Sequence, residues 1–306
     1  MLKKLGFTLL LLIALPLAAQ VNDTYIIPAA ANTPGAFGTR WMTGFSIFNP
    51  QLDYSLKVSV TYLPTDGGKG LEALITVPAN SVAYADNVLL EVFHVSGTGA
   101  LVVATFPEDN PSVPNDVISR AFLVTTNTFN NGGSSGTFGQ TIPGIWTGLQ
   151  DYANDGISAV AHGIRNISKF GWRTNFGAVN LGSTAVTLRI NIYDLNGNTI
   201  VKNATYTLLP QAHFQRGLPV EVDRGSIEFF VDDATKKAVV FPYTSTIDQI
   251  SGDPAYQTPT LLATAKILFA KRAIDPTALG KKIGLTEARE IRASAMPIGE
   301  VTLEHK

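Results

Sequence analysis

The sequence contains no cysteine, only four histidines and few charged residues. The absence of cysteine excludes disulfide bonds, thiolate zinc sites and cysteine nucleophiles. A multi-histidine metal centre would need nearly all of the four histidines. Charged residues make up 15% of the 306 residues, and Lys plus Arg (23) almost balance Asp plus Glu (24). The net charge of −1 argues against a nucleic-acid-binding protein, because such proteins normally carry a basic surface.

The first twenty residues have the pattern of a secretory signal peptide. Lys3 and Lys4 form the positive start, residues 7–17 form a leucine-rich apolar stretch, and Ala18-Ala19 supply the small side chains that a signal peptidase needs. The stretch is shorter than the roughly 20 residues of a membrane-spanning helix. A buried first helix is the alternative. We therefore predict export to the periplasm, the cell surface or the exterior, with no transmembrane segment after signal removal.

Two distant segments share the strand motif W-x-T-x-F-x-x-x-N. The first has Trp41, Thr43, Phe45 and Asn49, and the second has Trp172, Thr174, Phe176 and Asn180. Further matches follow in the same order, such as Gly99-Ala100-Leu101 with Gly225-Ser226-Ile227. Ordered self-similarity of this kind indicates an internal duplication. Because the tryptophans are duplicated together with their strand, we predict that they are core or core-edge residues.

The periodicity within each copy is that of β-strands. Apolar and polar residues alternate along Val186–Ile192 and along Leu56–Tyr62, as expected for strands with one buried face. Asn196-Gly197 supplies residues that suit a hairpin turn. No helical periodicity precedes residue 260. The sequence therefore predicts an all-β fold of two tandem β-sandwiches, with immunoglobulin-like topology expected in each.

The predicted organisation has five parts. They are a signal peptide at 1–19, a first sandwich at 20–142, a junction at 143–156, a second sandwich at 157–260 and a helical tail at 261–306. In the tail, Leu262, Ala265 and Phe269 recur at helical spacing.

These residues resemble a family of exported bacterial proteins, mostly of unknown function, that carry tandem immunoglobulin-like sandwiches. The resemblance rests on the W-x-T-x-F-x-x-x-N strand and on a later T-x-T-[FI]-[ND] segment, here Thr126–Asn130 and Thr244–Asp248. It covers roughly residues 24–260. It implies the fold and export, and it carries no catalytic residue.

Two motifs have a chemical and a structural interpretation. Gly132–Gly136 matches G-x-S-x-G around Ser134, but a nucleophile elbow needs a helix after the serine, and no helical pattern follows. A serine hydrolase and a flexible loop are the two interpretations. Asp194, Asn196 and Asn198 match the start of a calcium loop without its later acidic ligand, so a hairpin turn is the other interpretation. We predict no catalytic residue, metal site or cofactor.

The junction holds the candidate ligand-binding residues Trp146 and Tyr152. Aromatic side chains there either pack one domain on the other or line a groove for a carbohydrate or peptide. The leading hypothesis is a non-enzymatic exported structural, adhesive or protein-binding module of the bacterial surface or periplasm. The alternative is a glycan or cell-wall polymer binding module with its groove at Trp146, and a serine hydrolase is the third. The expected partner is another surface protein or a polysaccharide.

Overall fold

The chain forms two β-sandwiches, and the all-β prediction is confirmed. The computed structural model describes residues 23–35, 38–131, 136–146, 158–233 and 238–262. The predicted signal peptide and most of the predicted helical tail lie outside these residues.

The first sandwich contains strands β1 to β9 and one short helix. They are β1 (Thr24–Pro34), β2 (Arg40–Asn49), β3 (Leu56–Pro64), β4 (Leu71–Val77), β5 (Ser81–Ala85), α1 (Val88–Glu91), β6 (Gly97–Ala104), β7 (Leu123–Asn131), β8 (Thr137–Thr141) and β9 (Ile145–Trp146). Strand β1 pairs with β6 from Thr24 to Asn32, with β9 at its start and with β2 over its last three residues, so it joins two layers. We name the layers the β6 sheet, β4-β3-β6-β1-β9, and the β7 sheet, β5-β2-β7-β8.

The second sandwich contains strands β10 to β18. They are β10 (Ser158–Asn166), β11 (Trp172–Asn180), β12 (Val186–Tyr193), β13 (Thr199–Leu208), β14 (Ala212–Gly217), β15 (Val222–Asp232), β16 (Val240–Asp248), β17 (Pro254–Gln257) and β18 (Thr260–Leu261). Its layers are the β15 sheet, β13-β12-β15-β10-β18, and the β16 sheet, β14-β11-β16-β17. Each strand of the second sandwich therefore corresponds to the strand numbered nine lower in the first sandwich. The corresponding strands have the same order within their sheets.

The inward-facing motif residues make the same contacts in both sandwiches. The hydroxyls of Thr43 and Thr128 lie 2.7 Å apart, and those of Thr174 and Thr246 lie 2.8 Å apart. The side-chain amide of Asn49 donates to the carbonyls of residues 54, 77 and 78. Asn180 donates in the same way to residues 184, 208 and 209. The fully buried side chains of Asn49 and Asn180 tie the end of each motif strand to its neighbours. The shared contacts are what a duplication predicts, while immunoglobulin-like topology stays a prediction.

Alternation along the strands places one set of side chains in each core. Val186, Leu188, Ile190 and Ile192 of β12 all enter the core of the second sandwich, while the residues between them are half-buried. Residues of β1 to β6 line the first core in the same manner. The strand periodicity that the sequence displays therefore corresponds to the buried face of each sheet.

Some strands are buried on both faces, and these strands join the two sandwiches. In β1, Ile27 enters the first core and Ile26 points to the opposite side, where an apolar seam lies. The seam packs the outer face of the β6 sheet on the outer face of the β16 sheet. Its members are Ile26, Leu63, Ala100 and Ile145 from the first sandwich and Val179 and Phe241 from the second. Strands between two apolar layers have continuous hydrophobic runs, as β6 does from Ala100 to Ala104.

Polar contacts surround the seam. The Asp66 amide donates to the His213 carbonyl at 2.8 Å, and the Asp66 carboxylate pairs with Arg216 at 3.0 Å. On the other side, the Gln140 amide donates to the Ser245 hydroxyl at 3.0 Å. Ile145 and Trp146, which the sequence places in the junction, form β9 and extend the β6 sheet. The apolar part of the described contact between the sandwiches is thus made by sheet faces, and Asp66 of the turn after β3 adds polar contacts.

Candidate functional site

A cavity of about 220 Å³ lies beside the apolar seam, between the two sandwiches. The first sandwich contributes Ala29, Ala30, Ala31, Thr33, Pro34, Gly35, Trp41, Thr98, Thr128, Gln140 and Ile142. The second contributes Arg173, Asn175, Gln215, Tyr243, Ser245 and Ile247. One wall is therefore largely made of small apolar residues of β1, and the facing wall carries a guanidinium, amides and hydroxyls.

Strand periodicity explains how one sheet face forms both the seam and the cavity wall. Residues two apart on a strand share a face, so Val179, Asn175 and Arg173 of β11 point to the same side as Gly177. Val179 lies in the seam, while Asn175 and Arg173 line the cavity. On β16, Phe241 belongs to the seam and Tyr243 and Ser245 to the cavity. The outer face of the β16 sheet therefore changes from apolar to polar along its strands.

Tyr243 and Gly177 occupy neighbouring places on this face. A Cβ atom at position 177 would lie 2.5 Å from the Tyr243 ring, so the absence of a side chain lets the ring lie across the strand. The Tyr243 hydroxyl donates to Gln215 Oε1 at 2.7 Å. This bond fixes the Gln215 carbonyl oxygen, and no described residue accepts from its NH₂ group. Burial raises the pKa of Tyr243, which keeps the hydroxyl protonated as a donor.

His213 supports Tyr243 from behind. Its Nε2 lies 2.7 Å from the Tyr243 hydroxyl, and its Nδ1 lies 2.7 Å from the Thr65 hydroxyl of the first sandwich. Burial lowers the pKa of His213 to about 3, against a smaller opposing effect of Asp66. The ring is therefore neutral near pH 7. A neutral ring has one N–H, so one ring nitrogen donates and the other accepts, and both the Tyr243 and the Thr65 hydroxyls can serve either role.

Arg173 is an arginine without a carboxylate partner among the described residues. Five of the seven arginines in the described ranges form ion pairs, with N–O distances from 2.9 to 3.6 Å. Arg40 is exposed, whereas Arg173 is half-buried and its Nε is buried with no hydrogen-bond partner. Burial lowers the pKa of Arg173. None of the described lining residues is Asp or Glu, so no described carboxylate of the cavity wall compensates the charge of Arg173.

Trp41 borders the cavity from the first sandwich. Its indole packs against Gly35, where a Cβ atom would lie 2.5 Å from Nε1. Its counterpart Trp172 lies elsewhere, with the Arg165 guanidinium 4.4 Å from its ring centroid and Asp223 bonded to that guanidinium at 2.9 Å. Both tryptophans are half-buried. Trp172 is thus covered by a side chain of its own sandwich, whereas the indole of Trp41 lines a cavity.

The other candidates from the sequence have the following positions. Trp146 belongs to β9, where it pairs with Tyr25, while Tyr152 and Ser134 lie outside the described residues. The segment after Gly136 is strand β8, so the helix that a nucleophile elbow requires does not follow Ser134.

The candidate calcium loop is a hairpin turn. The Asp194 carboxylate accepts from the Asn198 side-chain amide and from the backbone amides of Asn196 and Asn198, each at 2.8 Å. These bonds, above all the one from the Asn198 side chain, lower the pKa of Asp194. Gly197 adopts the left-handed conformation that the turn requires. Within the described ranges, no three side chains from His, Asp and Glu come together as metal ligands would. None of the described helices has the length and apolar character that a bilayer crossing demands.

The cavity residues of the second sandwich are not among the site residues predicted from the sequence. Arg173 and Asn175 occupy the variable positions of the W-x-T-x-F motif, where the first copy has Met42 and Gly44. The threonine, phenylalanine and asparagine of the motif face the core, so the variable positions between them face outward. A comparison of the outward positions between the copies would have shown that only the second copy is polar there.

Comparisons with known proteins give no family for this chain. No protein-family model matches it, and no curated protein matches it. Among solved structures, a "putative secreted protein" of Parabacteroides distasonis is 13% identical, over 80% of this chain and 84% of that one, with a TM-score of 0.21. A TM-score this low does not establish a shared fold.

Proposed function

We propose that the protein is a non-enzymatic exported module that binds a glycan unit in the cavity between its two sandwiches. The observation that carries this proposal is a polar cavity at a domain interface with Trp41 in its wall. Sugars stack on aromatic faces and donate to and accept from amides and hydroxyls, and ligand sites concentrate at domain interfaces. This is the glycan-binding alternative of the sequence analysis, with the site at Trp41 in place of Trp146.

The export part of the proposal rests on the amino-terminal sequence. The positive start, the short apolar stretch and Ala18-Ala19 together fit a signal peptide. A surface or periplasmic location would give the cavity access to polysaccharides. The structural, adhesive or protein-binding role, with another surface protein as the partner, applies if the cavity has no ligand.

The non-enzymatic part rests on how the polar groups of the cavity are engaged. The Ser245 hydroxyl bonds Gln140, which is not a base. Both ring nitrogens of His213 are occupied, by Thr65 and Tyr243, and the ring is 1% exposed. General-base catalysis would require a basic group within reach of the nucleophile. The described lining residues therefore suit binding better than hydrolysis.

Replacement of Trp41 tests the proposal, with Trp172 as the matched control. Trp41→Ala should weaken binding to soluble polysaccharides by about tenfold, because a stacking surface is lost. Trp172→Ala should leave binding unchanged, since Trp172 is covered by Arg165. Affinity electrophoresis in gels that contain neutral or acidic polysaccharides measures both variants, and melting temperatures show whether they are folded. Equal retardation of the two variants and the wild type would refute glycan binding at Trp41.

A further inference from the structure

We infer that the glycan unit in this cavity carries a carboxylate, which Arg173 binds. The inference rests on the proposed function and specifies its ligand class. Its starting point is the charge of the cavity: Arg173 is half-buried, and no carboxylate lies among the described lining residues.

A half-buried guanidinium without an anion is unfavourable. Transfer of a charged group out of water costs free energy unless an opposite charge or hydrogen bonds replace the water. In this chain, the buried Arg120 and the half-buried Arg165 and Arg189 each have a carboxylate within 3.6 Å. Arg173 has none among the residues that the structure describes, and its buried Nε, like that of Arg120, lacks a hydrogen-bond partner there. An anion in the cavity would give Arg173 the negatively charged partner that these other arginines have.

The chemistry of the site favours a carboxylate on a sugar. A guanidinium presents parallel N–H groups that match the two oxygens of a carboxylate. Trp41 supplies an aromatic surface, and Gln215 and Asn175 supply amide groups for hydroxyls. The volume of about 220 Å³ lies below the roughly 300–1,000 Å³ of typical ligand pockets, which fits one sugar unit. A uronic acid combines these properties.

The counterpart position supports a specific role for Arg173. The first sandwich has Met42 at this place, and Gly44 where the second has Asn175. The core-facing motif residues around them are the same in both copies. The positive charge is therefore absent from the shared motif and present where the strand faces the cavity.

The test compares ligands that differ by the carboxylate alone. The full mature chain is titrated by calorimetry with methyl glucuronide against methyl glucoside, and with methyl galacturonide against methyl galactoside. At least one uronide should bind about tenfold more tightly than its neutral analogue, as expected for a hydrogen bond to a charged group. Added salt should reduce that difference.

Variants of Arg173 locate the source of the preference. Arg173→Gln should abolish the preference and leave the affinity for the neutral sugar unchanged, while Arg173→Lys should retain part of it. Arg224→Gln removes an exposed arginine outside the cavity and should change nothing. The melting temperature of each variant shows that it is folded.

The outcomes separate this inference from the proposed function. Equal affinities for the acidic and neutral sugars would overturn the carboxylate inference and leave glycan binding intact. An unchanged preference in Arg173→Gln would also overturn it. Binding of acetyl-alanine in place of both sugar classes would show a peptide carboxylate site, and binding of none of these probes would refute the proposed function as well.

Discussion

The two copies of the motif strand, β2 and β11, have the same inner face and different outer faces. Inward, the threonine pairs and the asparagine amides make matching hydrogen bonds in both sandwiches. Outward, Val179 and Phe241 are buried in the seam, and their counterparts are Phe48 and Leu123, which are half-buried. The inner face therefore specifies the fold, and the outer face specifies the contacts of each sandwich.

The edge strands of the same sheets differ in the same way. In the second sandwich, His213 pairs with Val179 and is 1% exposed. In the first, the counterpart Val82 pairs with Phe48 and is 55% exposed, and the next outward residue, Tyr84, is 77% exposed. The corresponding sheet face thus packs on a neighbour in the second sandwich and is open at Val82 and Tyr84 in the first. The following predictions test this difference.

The largest expected effect is on the seam. Phe241→Ala should lower the free energy of unfolding by about 3–5 kcal/mol, because it removes a buried aromatic side chain and leaves a cavity. The counterpart substitution Leu123→Ala should cost roughly 1 kcal/mol or less, since that side chain is only half-buried. Urea unfolding of both variants measures the difference. Equal losses would contradict the assignment of one outer face as packed and the other as open.

A smaller effect is expected from pH, and it comes from His213. Its pKa in the folded protein is about 3, below the ordinary 6.5, so the unfolded chain binds the proton more tightly. The contribution of His213 is therefore complete above pH 6.5 and is lost as the pH falls from 6.5 toward 3, by about 1.4 kcal/mol per pH unit.

The control for the pH prediction is a variant that carries, at position 213, the side chain of the counterpart residue Val82. The variant His213→Val should lose this part of the pH dependence. Carboxylates elsewhere continue to contribute to the pH dependence of unfolding in both proteins. Urea unfolding at several pH values gives the difference between wild type and variant. A difference that does not change between pH 7 and pH 4.5 would show that His213 is not buried as described.

The strands and their core-facing side chains could be predicted from the sequence. The contacts of the outer sheet faces could not. Alternation along Val186–Ile192 and the Asn196-Gly197 turn reflect local geometry, which is written into neighbouring residues. The seam depends on which sheet of one sandwich meets which sheet of the other, and no local pattern encodes that pairing. The apolar run Ala100–Ala104 was nevertheless a signal, because an uninterrupted run indicates burial on both faces.

The position of the candidate site likewise could not be predicted from the sequence. The sequence analysis placed the candidate site at the junction because Trp146 and Tyr152 are near the domain boundary. The structure shows a cavity bordered by Trp41 and Arg173, which are 132 residues apart in the numbering and belong to different sandwiches. Residues that meet only through the packing of two domains have no fixed spacing along a chain. For that reason Arg173 could be recognised as unpaired only when its surroundings were known.

The most direct test of the packed and open faces is disulfide trapping, for which the absence of cysteine provides a clean background. Thr65 and His213 are bridge partners across the two sandwiches, so Thr65→Cys with His213→Cys should form an intramolecular disulfide on mild oxidation. The control pair, Thr65→Cys with Val82→Cys, uses the counterpart of His213 and should not form an intramolecular disulfide. Non-reducing electrophoresis and mass spectrometry distinguish the products. An intramolecular disulfide in the first pair alone is the predicted result, whereas its absence there, or its equal formation in both pairs, would contradict the account.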